Sequence, residues 1–149
     1  MSDLTRRRPG ALGELLKGNG ELILLVDDEP SILRVTSMIL DTKNYRVLCA
    51  TDGPEALAVF AQQMDSVKAV LTDIMLPFVD GVALIRTIKK LKPDMAFIAS
   101  TGHGDEPRHP ELRELGVENF LVKPYDMETL LKTLRDALEV KPSDPSEFS

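Results

Sequence analysis

The sequence predicts an α/β fold, a parallel β-sheet covered by helices on both faces. Three observations carry the prediction. Five apolar runs of strand length recur at fairly even intervals: Leu22 to Val26, Val47 to Ala50, Val67 to Leu71, Ala96 to Ala99 and Phe120 to Val122. The segments between them repeat their apolar residues at helical spacing. The length of 149 residues supports one core without disulfides or structural metal and argues against two domains.

The elements follow in order, with right-handed crossovers expected between them. After the first strand, Pro30 suits the first turn of a helix whose inward stripe is Ile32, Val35, Thr36 and Ile39. The second helix begins at Asp52-Gly53-Pro54, with Asp52 as cap and Ala56, Leu57, Val59 and Phe60 as buried side. The third runs from about Gly81 to Leu91 on Leu84, Ile85, Ile88 and Leu91 and stops before Pro93. The fourth segment, Asp105 to Gly116, holds Pro107 and Pro110 and only Leu112 and Leu115 as apolar anchors. Proline inside a helix costs about 3 kcal/mol, so a short helix is expected from near Pro110. The last helix starts at Asp126, a capping residue, with Tyr125 and Leu130 as a hydrophobic staple and Leu130, Leu131, Leu134 and Leu138 as core face. Residues 21–140 are thus the domain. Residues 1–20, rich in Arg and Gly with a short amphipathic stretch at Leu12, Leu15 and Leu16, read as a flexible linker, and 141–149 as a flexible tail.

Composition narrows the function classes. At 43% hydrophobic and 28% charged, the chain is neither a disordered nor a membrane protein by composition. Residues 1–20 carry four basic and two acidic groups, whereas the rest carries fourteen and twenty-two. So acidic a body argues against a nucleic-acid surface, which needs basic groups to neutralise phosphates. Cys49 has no second cysteine to bridge to, and its place in the second strand reads as buried. No apolar stretch is long enough to span a bilayer and the N-terminus lacks a signal core, which points to a cytoplasmic protein without membrane contact.

In an open parallel sheet, ligands bind beyond the C-terminal ends of the strands. The residues there are Asp27-Asp28-Glu29 after the first run, Asp73 after the third, Ser100-Thr101-Gly102 after the fourth and Lys123-Pro124 after the fifth. Clustered carboxylates repel one another unless a cation joins them, and a hard divalent ion such as Mg2+ accepts oxygen ligands of this kind. A carboxylate beside such an ion and a lysine suits phosphoryl transfer, with the carboxylate as nucleophile. Asp73 stands alone at a strand end and is the candidate nucleophile; the adjacent Asp27 and Asp28 are candidate metal ligands; Thr101 and Lys123 are candidate partners of phosphoryl oxygens. Each residue also has a plainer reading. Asp28 or Glu29 can cap the first helix, Asp73 can belong to a turn, and Lys123-Pro124 can simply end a strand. Their coincidence at one end of four strands favours a site.

These residues resemble the receiver domain of two-component response regulators, including those fused to hybrid histidine kinases. The matching pieces are Leu25-Val26-Asp27-Asp28-Glu29, Thr51-Asp52-Gly53-Pro54-Glu55-Ala56-Leu57, Asp73-Ile74-Met75-Leu76-Pro77 with Asp80-Gly81, Ser100-Thr101-Gly102, and Phe120-Leu121-Val122-Lys123-Pro124. The resemblance runs from about Glu21 to Glu139. It implies a flavodoxin-like, doubly wound five-stranded sheet in order 2-1-3-4-5. It implies a phosphorelay module, not an enzyme acting on other substrates: Asp73 accepts a phosphoryl group from a phosphohistidine, and Mg2+ sits on Asp28, Asp73 and the Met75 backbone carbonyl, with Asp27 in support. It also implies a switch formed by Thr101 and Phe120, in which the hydroxyl moves to the phosphoryl group and the ring turns inward. Phe120 reads equally as a plain core residue.

The partner implied is a histidine kinase or histidine phosphotransfer domain, docking mainly on the first helix, where Leu33 and Met38 fall off the inward stripe as a candidate apolar patch. A broader buried face is the plainer reading of the same residues. The proline-bearing segment from Glu106 to Pro110 departs from the family's fourth helix, part of its usual dimer face, and this favours a monomer. His103, two residues after Thr101, stands where family side chains gate water; His109 takes no role. Three other classes fit less well. An aspartate-nucleophile phosphatase of the haloacid dehalogenase type needs an acid where Met75 stands. A nucleotide or flavin binder wants a glycine-rich or hydroxyl-rich loop where the acids stand. A receiver-like module that is never phosphorylated often lacks one of the acids or the lysine.

Overall fold

The computed structural model describes residues 16–102 and 110–139. Strands β1 (Leu22–Val26), β2 (Arg46–Ala50), β3 (Val67–Asp73), β4 (Ala96–Thr101) and β5 (Asn119–Val122) alternate with helices α1 (Pro30–Thr42), α2 (Gly53–Gln62), α3 (Gly81–Leu91), α4 (Pro110–Glu114) and α5 (Met127–Glu139). The strands form one parallel sheet in the order β2-β1-β3-β4-β5. The chain steps outward from β1 to β2 and returns to β3 on the other side, so the strand order switches beside β1, where a crevice forms.

Side chains of β1 alternate between two cores because successive residues of a strand face opposite ways. Leu22, Leu24 and Val26 join Ala56 and Phe60 of α2, Leu84, Ile85 and Ile88 of α3, and Leu112 of α4. Ile23 and Leu25 join Leu33 and Leu40 of α1 and Leu130, Leu131, Leu134 and Ala137 of α5. All five residues of β1 are buried, as a central parallel strand requires. Three helices start as the sequence predicts. Asp52 Oδ1 accepts from Glu55 N at 2.8 Å, Asp80 Oδ1 from Ala83 N at 2.8 Å, and Asp126 Oδ1 from Thr129 N at 2.8 Å. Tyr125 and Leu130 share one apolar cluster, as a staple would. The helix expected near Pro110 is a five-residue turn.

Four local expectations are corrected. The buried residues of α1 are Leu33, Thr36 and Leu40, so Leu33 is core at 8% exposure and no docking residue, while Val35, expected inside, is 55% exposed. Ile32, Leu33, Val35 and Thr36 allow two helical phases, and packing on β1 and β2 selects the one led by Leu33. Leu91 closes α3 past the Leu84, Ile85, Ile88 stripe and is exposed. Cys49 is exposed because β2 is an edge strand; its Sγ lies 3.0 Å from Ser37 Oγ.

The fourth concerns residues 16–20, expected as linker, which lie against the N-terminal end of the sheet. Leu16 is buried in the α1–α5 core, Gly18 N donates to Lys43 O and Gly20 N to Asn44 O, both at 2.7 Å, and Asn44 Nδ2 and Arg46 Nε donate back to Gly18 O and Gly20 O at 2.8 Å. A Cβ at Gly18 would stand 2.6 Å from the Tyr45 ring, so any larger residue there requires the ring to shift. His103, His109, Pro107, Leu12, Leu15 and the segment 141–149 lie outside the described residues.

Candidate functional site

Strand ends fix the site residues through backbone bonds that continue the sheet. Asp27 N donates to Ala50 O at 3.1 Å, Ile74 N to Ser100 O at 3.0 Å, and Lys123 N to Thr101 O at 2.7 Å. β3 and β4 each extend two residues beyond their apolar runs, so Asp73 and Thr101 are the last residues of the ladder and Asp73 stands level with Ser100. Five sequence-predicted residues, Asp27, Asp28, Asp73, Thr101 and Lys123, thereby reach one rim.

Asp27 and Asp73 are almost fully buried, at 2% and 5% exposure, while Asp28 is exposed. One carboxylate oxygen from each of the three lies within 4.8 Å of the others. Lys123 Nζ donates to Asp27 Oδ2 and to Asp73 Oδ2, each at 2.7 Å. The remaining oxygens are used locally: Asp27 Oδ1 accepts from Glu29 N at 2.9 Å and Asp73 Oδ1 from Met75 N at 3.1 Å. Burial pushes Asp27 above its ordinary value, against the opposing hydrogen bond from Lys123. Burial alone would lower Lys123, but hydrogen bonds to Asp27 and Asp73 outweigh it and hold the ammonium above its ordinary range. The oxygen-only donor set suits a hard divalent cation and no soft one.

Two hydroxyls on β4, Ser100 Oγ and Thr101 Oγ1, are buried without a hydrogen-bond partner among the described residues. Unsatisfied buried hydroxyls are uncommon, and Thr101 Oγ1 is a donor awaiting an acceptor. Phe120, level with Ala99 across the β4–β5 pair, is half-buried against the core that holds α2 to α4. The loop after β3 carries exposed Met75 and Phe78, the latter at φ 71°. It closes through Gly81 N, which donates to Ile74 O at 2.8 Å. Only glycine allows that approach: a Cβ on residue 81 would contact Asp73 O and sit 2.6 Å from Ile74 Cα. A cis peptide joins Lys123 to Pro124.

Two residues were missed as site components. Glu29 does not cap α1; its side chain makes no cap bond, and Oε1 lies 3.4 Å from Lys123 Nζ. Tyr125, its hydroxyl 3.3 Å from Thr36 Oγ1, tethers the loop after Lys123 to α1. Their signal in the sequence is the acid two residues beyond Asp27 and the aromatic two beyond Lys123. Beside the rim, Ile32, Val35, Thr36, Pro124 and Tyr125 wall a largely apolar cleft of about 530 Å3, with Glu29 and Lys123 also in its lining.

A doubly wound sheet with an aspartate trio and a lysine at its switch point defines a class of phosphoryl-handling signalling domains, and comparison with known proteins agrees. The response regulator receiver domain profile matches residues 23–135, and the chain belongs to that family. It is 36% identical over 117 residues to the transcriptional regulatory protein GlrR of Escherichia coli K12, covering 78% of this chain and 26% of GlrR. It is 37% identical over 118 residues to the probable transcriptional regulator ycf27 of Guillardia theta, covering 79% and 45%. The chain therefore spans about a quarter to a half of these relatives. Among solved structures, a response regulator receiver domain protein from Clostridium thermocellum superposes with a TM-score of 0.73 at 33% identity, over 78% of this chain and 93% of that one. Among the described residues, no helix is long and apolar enough to cross a membrane.

Proposed function

We propose that the chain is a cytoplasmic phosphoacceptor module in which Asp73 takes a phosphoryl group from the phosphohistidine of a histidine kinase or phosphotransfer domain. The observation that carries this reading is the convergence of Asp27, Asp28 and Asp73 on one rim, with Lys123 bonded to two of them. An Asp73 carboxylate oxygen attacks phosphorus as the P–N bond breaks, and the imidazole leaves with the electron pair. Mg2+ held by Asp28, Asp73 and the Met75 carbonyl, with Asp27 behind, would neutralise charge on the transferred group. Lys123 then binds one phosphoryl oxygen, and Thr101 Oγ1 gains the acceptor it lacks. Movement of Thr101 toward the phosphoryl group vacates space beside β5, into which the Phe120 ring turns, and this changes the surface partners meet.

The donor docks across α1 in this reading. Val35 and Met38 are exposed on that helix, at 55% and 63%, and the apolar cleft beside Lys123 lies along it. The test is to incubate the protein with Mg2+ and acetyl phosphate and measure intact mass and hydroxylamine-sensitive phosphate. Wild type should gain one phosphoryl group and Asp73→Asn none. An Asp73→Asn variant labelled like wild type would overturn the assignment.

A further inference from the structure

We propose that Glu29 determines which phosphoryl donors reach Asp73: it is a carboxylate stationed on Lys123 that holds off small free anions. The proposal rests on the phosphoacceptor reading above. Glu29 occupies the N-cap of α1 with extended backbone, φ −95° and ψ 109°, yet its side chain forms no cap bond. Ser, Thr, Asp and Asn cap well because their oxygen sits close to the backbone, and the longer glutamate is poorly suited. The Glu29 side chain instead reaches across to Lys123 Nζ at 3.4 Å, and among the described residues no other hydrogen bond engages its carboxylate.

Lys123 thus faces three carboxylates at once, two at 2.7 Å and Glu29 at 3.4 Å. An incoming phosphoryl oxygen must displace one of them. The side chains of Asp27 and Asp73 are 3% and 7% exposed and locked by hydrogen bonds from Glu29 N and Met75 N. The Glu29 side chain is 57% exposed and is the one free to swing. It also lines the cleft together with Lys123, so it stands on the open side from which a donor arrives. A small dianion meets the Glu29 charge with nothing to offset the repulsion. A protein donor can offset it with surface buried along α1 and the cleft.

The experiment uses the whole chain at saturating Mg2+, comparing wild type, Glu29→Gln and Glu29→Ala. Two readouts are taken. One is the initial rate at which acetyl phosphate labels Asp73, a step that forms the Asp73 O–P bond and breaks the P–O bond to departing acetate. The other is beryllofluoride affinity by calorimetry, which involves no turnover. The labelling rate should rise about three- to tenfold in both variants, the effect of one screened unit charge several ångströms from a dianion, and the affinity for singly charged beryllofluoride about two- to threefold. The gain should shrink in about 0.5 M salt, where the Debye length falls below that separation. Variants that label and bind no better than wild type overturn the proposal, as does a gain wholly accounted for by a change in Mg2+ affinity titrated in parallel. A wild type that neither labels nor binds beryllofluoride overturns the phosphoacceptor reading itself, a different result from a wild type that labels while Glu29 makes no difference.

Discussion

Removing the ammonium from the rim should be costly, and the cost should depend on pH. In Lys123→Met the apolar stem keeps a similar volume, but Asp27 and Asp73 each lose a 2.7 Å partner while remaining buried. Breaking a buried ion pair by deleting one member costs about 3 to 5 kcal/mol, because the other charge stays uncompensated. The lower end, about 3 kcal/mol, applies here because each acid keeps one backbone N–H donor and Asp28 opens the rim to water. The sign with pH follows from Asp27, whose folded-state value burial already holds above the ordinary 3.8. A carboxyl raised in the folded state binds its proton more tightly there than in the unfolded chain. Its charge penalty is therefore full above the folded value and fades as pH falls toward 3.8. Without Lys123 the upward shift grows, so the deficit relative to wild type should be greatest near neutrality and narrow steadily on acidification. Urea unfolding of both proteins without Mg2+, at several values between about pH 4.5 and 8, gives the difference directly. Added Mg2+ should return part of the loss, since a ligand that binds only the folded form stabilises it by mass action. A variant that unfolds at the wild-type urea concentration at neutral pH, or whose deficit is the same at every pH, would refute the electrostatic account.

Three further substitutions test the scaffold. Gly81→Ala forces a methyl against Asp73 O and Ile74 Cα, backbone atoms that cannot yield without breaking the loop closure, and should cost about 3 kcal/mol, lowering Tm by roughly 10 °C. Gly20→Ala is the control: at φ 83° with open space around it, it should cost about 1 kcal/mol. Equal losses at the two positions would show that the contact at Gly81 is unimportant. Leu16→Ala should cost about 2 kcal/mol in urea unfolding, the low end for a buried leucine because the cavity opens at the domain's margin, and Asp73 labelling should persist. An unchanged midpoint would mean that residues 16–20 add nothing to the fold.

The strand ends were legible because a parallel ladder leaves the sequence little choice. Once five buried runs alternate with helices, the residues after each run must gather at one edge, and Asp27, Asp73, Thr101 and Lys123 do so. The caps at Asp52 and Asp126 were legible for a local reason: a short acid before a helical stripe has one favourable use. The phase of α1 was not legible. Ile32, Leu33, Val35 and Thr36 in its first two turns fit two faces, and only the packing of the helix on β1 and β2 selects Leu33 over Val35. Nor could the role of Glu29 be read, since adjacency to Pro30 suggests a cap and only the fold brings a residue 94 positions away into reach. The anchoring of residues 16–20 escaped because glycine and asparagine there look like a linker, whereas their backbone groups are bonded to the turn after α1.

The placement of the aromatic hydroxyls gives the molecule a built-in pair of optical probes. The chain has no tryptophan and two tyrosines. Tyr45 stands just before β2 under Gly18, at the N-terminal edge of the sheet, whereas Tyr125 follows β5 at the opposite edge, in the wall of the cleft beside Lys123. Burial holds both phenols above their ordinary ionisation range, so each remains a neutral emitter through mild alkali. The two phenols share one ultraviolet band, so Tyr45→Phe and Tyr125→Phe variants assign each signal to one edge of the sheet. Events at the acidic rim register at Tyr125, and loosening of the segment under the sheet registers at Tyr45, with no indole emission to mask either.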